Sequence, residues 1–130
     1  MRTLIIFVLT LCFSQSFAQT KWALDKSHTN IKFTVTHMMI SEVDGEFREF
    51  DATVTSTKDN FDGSEVEFIA KTASIDTGNE RRDNHLKSDD FFNAEQFPEL
   101  KFKGKIQKEG EKYYLVGDFT IRDVTKPVKF

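Results

Sequence analysis

The chain has a single cysteine, Cys12, which sits in an N-terminal stretch that reads as a leader and not as part of the fold. Disulfides therefore contribute nothing to the mature domain, which must hold together by packing alone. No excess of positive charge exists either: 18 Lys and Arg stand against 21 Asp and Glu. A nucleic-acid partner needs a basic face, and an anionic membrane surface needs clustered cations, so both classes are disfavoured. The three histidines, His28, His37 and His85, share no HExxH, CxxC or facial-triad spacing, the patterns that fixed-distance metal coordination demands. No G-x-S-x-G nucleophile elbow is present. No repeat, low-complexity tract or linker divides the chain, which reads as one domain.

Long apolar runs are also missing, apart from Leu4 to Phe13 in "MRTLIIFVLTLCFSQSFAQT". A bilayer span takes about 20 residues, so stable membrane insertion is not expected. Arg2, the apolar run and the small-x-small Ser16-Phe17-Ala18 form the three-part layout of a secretory signal. Cleavage is expected after Ala18, leaving 19–130 as the mature domain in the periplasm or outside the cell. Cys12 follows Leu11, where a lipobox wants a small residue, so ordinary cleavage is favoured over lipidation. Loss of Arg2 leaves the mature domain more negative, by a single charge, than the full chain's −3.

What the sequence has in quantity is phenylalanine, fourteen in all, with only Phe7, Phe13 and Phe17 in the leader. Phenylalanine fills cores and also lines apolar ligand cavities. Its placement follows a period of two. In "TNIKFTVTH", Ile31, Phe33, Val35 and His37 share one face, with Asn30, Lys32, Thr34 and Thr36 on the other, the pattern of a half-buried strand. "FREFDATVTST" places Phe50, Ala52 and Val54 on one face. "SEVEFIAKTASID" alternates through Val66, Phe68 and Ala70. "ELKFKGKIQ" sets Leu100, Phe102 and Ile106 against Lys101, Lys103 and Lys105. "KYYLVGDFTIR" aligns Tyr113, Leu115, Phe119 and Ile121, and "KPVKF" begins one more strand. "KDNFDGS" and "KEGE" between runs are short, polar and Gly-containing, as hairpin turns are. Successive antiparallel strands with one apolar and one wet face form a meander that tends to close.

Only "GNERRDNHLKSDDFFNAEQF" breaks the period. One or two short helices are expected between Asn79 and Gln96, with Pro98 opening the next strand. Asp83 and His85 lie two apart and would point to different sides of a helix, which argues against a relay with Ser88. The plain reading leaves the charges of Arg82 and Asp83 solvated or paired. Phe91 and Phe92 would diverge on a helix, so that one enters the interior while the other packs beneath a loop. The chain stops at "PVKF" in mid-alternation and reads as truncated at its C-terminus.

"WALDKSHTNIKFTVTHM", "GEFREFDATV", "SIDTGNERRDNHLKSDDFFNAEQFPELKF" and "GDFTIRDVTKPV" together resemble the YceI-like family of secreted polyisoprenoid-binding proteins. The resemblance covers nearly all of 21–130, in order, and its central segment with Arg82, Asp83, His85, Leu86, Ser88, Phe91, Phe92 and Pro98 is specific. It implies a mainly β fold: an antiparallel, lipocalin-like β-barrel with a short helical insertion. It also implies an isoprenoid or other long-chain amphiphilic lipid as partner and does not establish an enzyme; from the residues themselves no catalytic residue, metal or cofactor is expected. The family pattern carries glycine where Asp123 stands, so Asp123 is expected to take a left-handed turn position.

An eight-stranded barrel admits side chains or one slender ligand. The residues expected to line it are Phe33, Val35, Phe47, Phe50, Phe68, Phe102, Phe119 and Ile121 from strands, and Leu86, Phe91 and Phe92 from the helical segment. His37 is the inward polar candidate, and Arg82 and His85 are candidates for a head group. Each apolar residue among them also serves as plain core. The competing class is a secreted metal-binding protein or hydrolase using His28, His37 and His85. Homodimerisation is left open.

Overall fold

The computed structural model describes residues 19–37 and 41–130. The signal-peptide expectation for 1–18 lies outside the described residues. Among the described residues nine strands and one α-helix follow in order: β1 (Thr20–Ala23), β2 (Ile31–His37), β3 (Ser41–Phe47), β4 (Phe50–Ser56), β5 (Glu65–Lys71), β6 (Ile75–Asp76), α1 (Glu80–Lys87), β7 (Glu99–Glu109), β8 (Lys112–Ile121) and β9 (Val124–Lys129). Strands β1-β4-β5-β7-β8-β9 form a six-stranded sheet and β2-β3-β6 a three-stranded one. Every pairing is antiparallel.

Register puts the alternating apolar residues side by side. Ala52 stands opposite Phe68, Phe68 opposite Phe102 and Phe102 opposite Phe119. Directly opposed residues share a face, so these four form one row across four strands. On the outer face of the same sheet Lys103 pairs with Glu67 at 2.9 Å. In the smaller sheet Ile31, Phe33 and Val35 oppose Phe47, Gly45 and Val43. Thr34 and Asp44 face outward, joined by a 2.8 Å hydrogen bond from the hydroxyl.

The two sheets meet at a corner. The chain leaves β3 at Phe47 and enters β4 at Phe50 with only Arg48 and Glu49 between. It returns from β5 to β6 through a 3₁₀ turn, Thr72–Ser74. Backbone bonds tie the two crossings: Arg48 N to Ser74 O at 3.1 Å and Lys71 N to Glu49 O at 2.8 Å. Behind this corner Phe47, Ala70, Ile75 and Leu100 form the buried core, with Ile31, Phe33, Phe50, Phe68, Leu86 and Phe92 packed against it.

The sheets are not closed into a barrel, which corrects the closed architecture expected from the sequence. Closure requires every strand to have two ladder neighbours. Here β1, β9, β2 and β6 each have one among the described strands. The corner joins the sheets on one side, and no ladder among the described residues joins them on the other.

Helix α1 is shorter than the irregular stretch allowed. Asn79 caps it from an extended conformation, its side chain accepting from Arg82 N at 3.0 Å. Glu80 and Asp83 lie in the first turn and His85 and Lys87 in the last, each sign at the end where the helix dipole favours it. Phe91 and Phe92 fall beyond the helix in a chain of turns, so their divergence is not the fan of helical neighbours. Phe92 N donates to Leu86 O at 3.0 Å and Ala94 N to Lys87 O at 2.9 Å, folding the segment back over the helix end. Among the described residues no helix is long and apolar enough to cross a membrane.

Candidate ligand-binding site

The phenylalanine row faces an open apolar concavity of about 490 Å³. Phe68, Phe102 and Phe119 line it from the large sheet, and Ile31, Phe33 and Phe47 from the small one. Phe130 closes one side, its ring 6.1 Å from Phe102 and 6.2 Å from Phe119 in edge-on packing. A second concavity of about 790 Å³ lies between β2, β3 and the helical segment. Val35, Val43, Leu86, Phe91, Phe92 and Ile121 supply its apolar wall, while Thr77, Arg82, His85 and Asp90 give it a polar rim. Phe33 borders both.

The packing that shapes these walls is aromatic. Phe33 and Phe47 lie 5.6 Å apart between ring centroids, and Phe47 meets Phe92 edge-on at 6.0 Å. Phe33 reaches this position because β3 has glycine opposite it. A Cβ at Gly45 would fall 2.3 Å from Cζ of Phe33, so only glycine leaves room for the ring.

The rim is held by hydrogen bonds that the sequence does not reveal. Asp83 is buried, and its Oδ1 accepts from Thr77 N at 2.9 Å and Thr77 Oγ1 at 2.6 Å. Arg82 donates from Nε to Thr77 Oγ1 at 2.7 Å and from Nη2 to Thr77 O at 2.8 Å. The two neighbours together clamp the chain between β6 and α1. His85 Nε2 lies 3.0 Å from Asp90 Oδ2, and its ring meets Phe91 edge-on at 5.0 Å. Opposite them Arg122 Nη1 donates to the carbonyls of Asp89 at 3.2 Å and Phe91 at 3.0 Å. Its guanidinium also lies over Phe97, 5.4 Å from the ring centroid.

A nearly full-length match accompanies this geometry: the YceI-like domain family matches residues 22–130. The chain belongs to the YceI-like family. It is 41% identical over 112 residues to a UPF0312 protein of Photorhabdus laumondii, across 85% of this chain and 58% of that one. A UPF0312 protein of Staphylococcus aureus is 36% identical over 111 residues, across 85% of this chain and 63% of that one. This YceI-like chain thus spans about six tenths of the length of those two relatives. Of solved structures, the Campylobacter jejuni YCEI protein that crystallizes with large solvent channels is 35% identical with a TM-score of 0.62, covering 83% of this chain and 64% of its own. BcnA of Burkholderia cenocepacia shares the fold at a TM-score of 0.72 and 22% identity, covering 81% and 67%.

Within this YceI-like fold the residues singled out from the sequence fall in different places. Phe33, Phe47, Phe68, Phe102 and Phe119 border the first concavity. Val35, Arg82, His85, Leu86, Phe91, Phe92 and Ile121 border the second. Phe50 borders neither. It packs against the core from the corner and lines a charged groove with Lys26, Arg48, Glu49 and Lys71. The backbone of His37 pairs with Ser41, and its side chain lies outside the described residues. Of the charges read as solvated or paired, Asp83 is not solvated: it is buried, and its carboxylate accepts two hydrogen bonds from Thr77. The left-handed turn position also moves: Arg122, at φ 58°, adopts it, and Asp123 does not. A two-residue hairpin takes positive φ at its first loop position in the type II′ form, and register places Arg122 there, since Ile121 opposes Val124.

Leu100, Leu115, Val66 and Val43 also line the concavities, and their alternation already put the first three on inward faces. Of the metal or hydrolase alternative, His28 lies in the β1–β2 loop, its Nδ1 2.9 Å from Asp25 Oδ2, while His85 is on α1. Among the described residues no three His, Cys, Asp or Glu are grouped to hold a metal.

Proposed function

We propose that this chain, as residues 19–130 after removal of a signal peptide, holds a polyisoprenoid or similar long-chain amphiphile outside the cytoplasm, and that it binds without catalysing. The observation that carries this reading is the row Ala52, Phe68, Phe102 and Phe119 turned toward an open apolar space, next to a second space with a polar rim. A lipid needs no catalytic group to be held. It needs a dry wall for the tail and a few polar atoms for the head. Each buried methylene gains about 0.8 kcal/mol, so a tail of about twenty carbons gains roughly 16 kcal/mol before ordering and association costs are set against it. In this reading Thr77, Arg82, His85 and Asp90 stand where a head group would lie.

Native mass spectrometry of protein purified from its own cell envelope is the direct test. A bound mass that organic extraction releases as a long-chain lipid is expected. Protein that carries none, and takes up none when offered prenyl alcohols, overturns the proposal. Sequencing the mature N-terminus tests export, with Gln19 expected as the first residue.

A further inference from the structure

We infer that Phe33 sets the longest tail this site accepts, an inference that rests on the lipid-holding reading above. Among the described residues Phe33 alone borders both apolar concavities. Its ring does not project freely between them. Three of its ring atoms, Cζ, Cε1 and Cε2, would lie 2.3, 2.8 and 2.9 Å from a Cβ on Gly45, so the ring rests against the bare backbone of β3. Phe47 supports it at 5.6 Å and is itself backed by Phe92 at 6.0 Å. Phe33, Phe47 and Phe92 thus form an aromatic divider, with the polar rim on the 790 Å³ side and the phenylalanine row on the 490 Å³ side.

A tail whose head group sits at Arg82 and Asp90 fills the rimmed concavity first. A short tail ends there. A longer one reaches the row at Phe68, Phe102 and Phe119 only by displacing the Phe33 ring from its seat. The ring is half-buried and needs only side-chain rotation to move, but moving it gives up the contacts with Gly45 and Phe47. Phe33 therefore discriminates by length and not by chemistry, and Gly45 is the residue that gives the ring the seat it must leave.

The test measures affinities of the full chain for a series of all-trans prenyl alcohols of increasing length, by displacement of an anilinonaphthalene sulfonate probe. In the wild type, affinity should rise with length and then level off. In Phe33→Ala and in the milder Phe33→Leu it should keep rising, the longest alcohols gaining about tenfold over wild type while the shortest change little. Gly45→Ala, which drives the ring off its seat on β3, should likewise move the levelling-off to longer tails. Leu is included because Ala at this position weakens packing against the core, and circular dichroism confirms folding of each variant. If Phe33→Leu keeps the wild-type length profile while the wild type binds the series, the divider is wrong and the lipid-holding reading survives. If neither wild type nor variants bind any alcohol, both fall together.

Discussion

Arg122 Nη1 donates to the carbonyl oxygen of Phe91 at 3.0 Å, linking the β8–β9 hairpin to the turns that follow α1. The same nitrogen reaches Asp89 O, and the backbone of Arg122 occupies the left-handed region at φ 58°. An L-residue at such a position costs about 1 kcal/mol that glycine avoids. Side-chain anchoring and backbone strain thus meet in one residue, and two substitutions separate them. Arg122→Ala and Arg122→Gly both lose the anchor, so both should raise the rate of proteolysis within 88–97. Arg122→Gly should be the more stable of the two by about 1 kcal/mol in urea unfolding. Equal stabilities would show that the turn is not strained at this residue.

Phe91 and Phe92 differ in what they support. Phe92 is partly buried against the core, whereas Phe91 is 48% exposed while bordering the rimmed concavity. Placing a carboxylate at either position puts a charge where a lipid tail would lie, and desolvating that charge is costly. Phe91→Asp should reduce prenyl-alcohol affinity at least tenfold with little loss of stability, while Phe92→Asp should lose both. His85→Ala removes one exposed ring of the rim, bonded to Asp90, while the apolar wall that carries most of the proposed affinity stays, so binding should remain within about threefold of wild type. Loss of binding in His85→Ala together with normal binding in both Asp variants would reverse the assignment of the apolar wall.

The parts of the fold that could be read from the residues are those where one face is apolar and the other charged. β7 is the clearest: Leu100, Phe102 and Ile106 alternate with Lys101, Lys103 and Lys105, and the pairing keeps that division. β3 was not legible as a strand. Its inward positions hold Val43, Gly45 and Phe47, and Gly45 makes sense only with the Phe33 ring lying on it from the neighbouring strand. The corner was hidden for a related reason. Phe47 and Phe50 both turn inward although three positions apart, a change of parity that a single strand "FREFDATV" cannot make and a bend at Arg48 and Glu49 does. At the site, composition announced an apolar interior, and alternation named most of its wall. Of the rim, Arg82 and His85 were legible as polar candidates, but Thr77, Asp90 and the bonds that hold them were not, because Arg82 and Asp83 are engaged by Thr77, five and six residues earlier, and that contact depends on how α1 folds back on β6.

That contact has its own consequence. Thr77 N and Oγ1 both donate to the buried Asp83 carboxylate. Asp83→Ala would leave a backbone N–H without its partner, a loss on the order of 1–3 kcal/mol. Asp83→Asn keeps an oxygen acceptor at the same place and should recover about half of it. Thermal unfolding distinguishes the three proteins, and an Asp83→Ala variant as stable as wild type would mean that water replaces the carboxylate at no cost. The measurement also bears on the site, since loosening Thr77 frees Arg82 from its two bonds and alters the rim.

Glu99 at the start of β7 bridges two lysines, Lys71 on β5 and Lys101 on its own strand, the second at 3.2 Å. The hydrogen bond from Lys71, then that from Lys101, hold its carboxyl below the ordinary glutamate value against a smaller opposing effect of burial. A carboxylate whose folded-state pKa is depressed adds stability that is fully present above its unfolded value and is lost as pH falls through the folded one. Urea midpoints of the wild type should therefore decline as pH drops through and below the usual carboxylate range. Glu99→Gln should be slightly less stable at neutral pH and show a shallower decline. The difference should shrink in high salt, because all three groups are partly exposed and screened. Glu67, lowered by Lys103 on the outer face, adds a decline of the same sign, so only the portion missing from Glu99→Gln belongs to Glu99. Parallel pH profiles for the two proteins would show that the bridge contributes nothing measurable to holding β5 against β7.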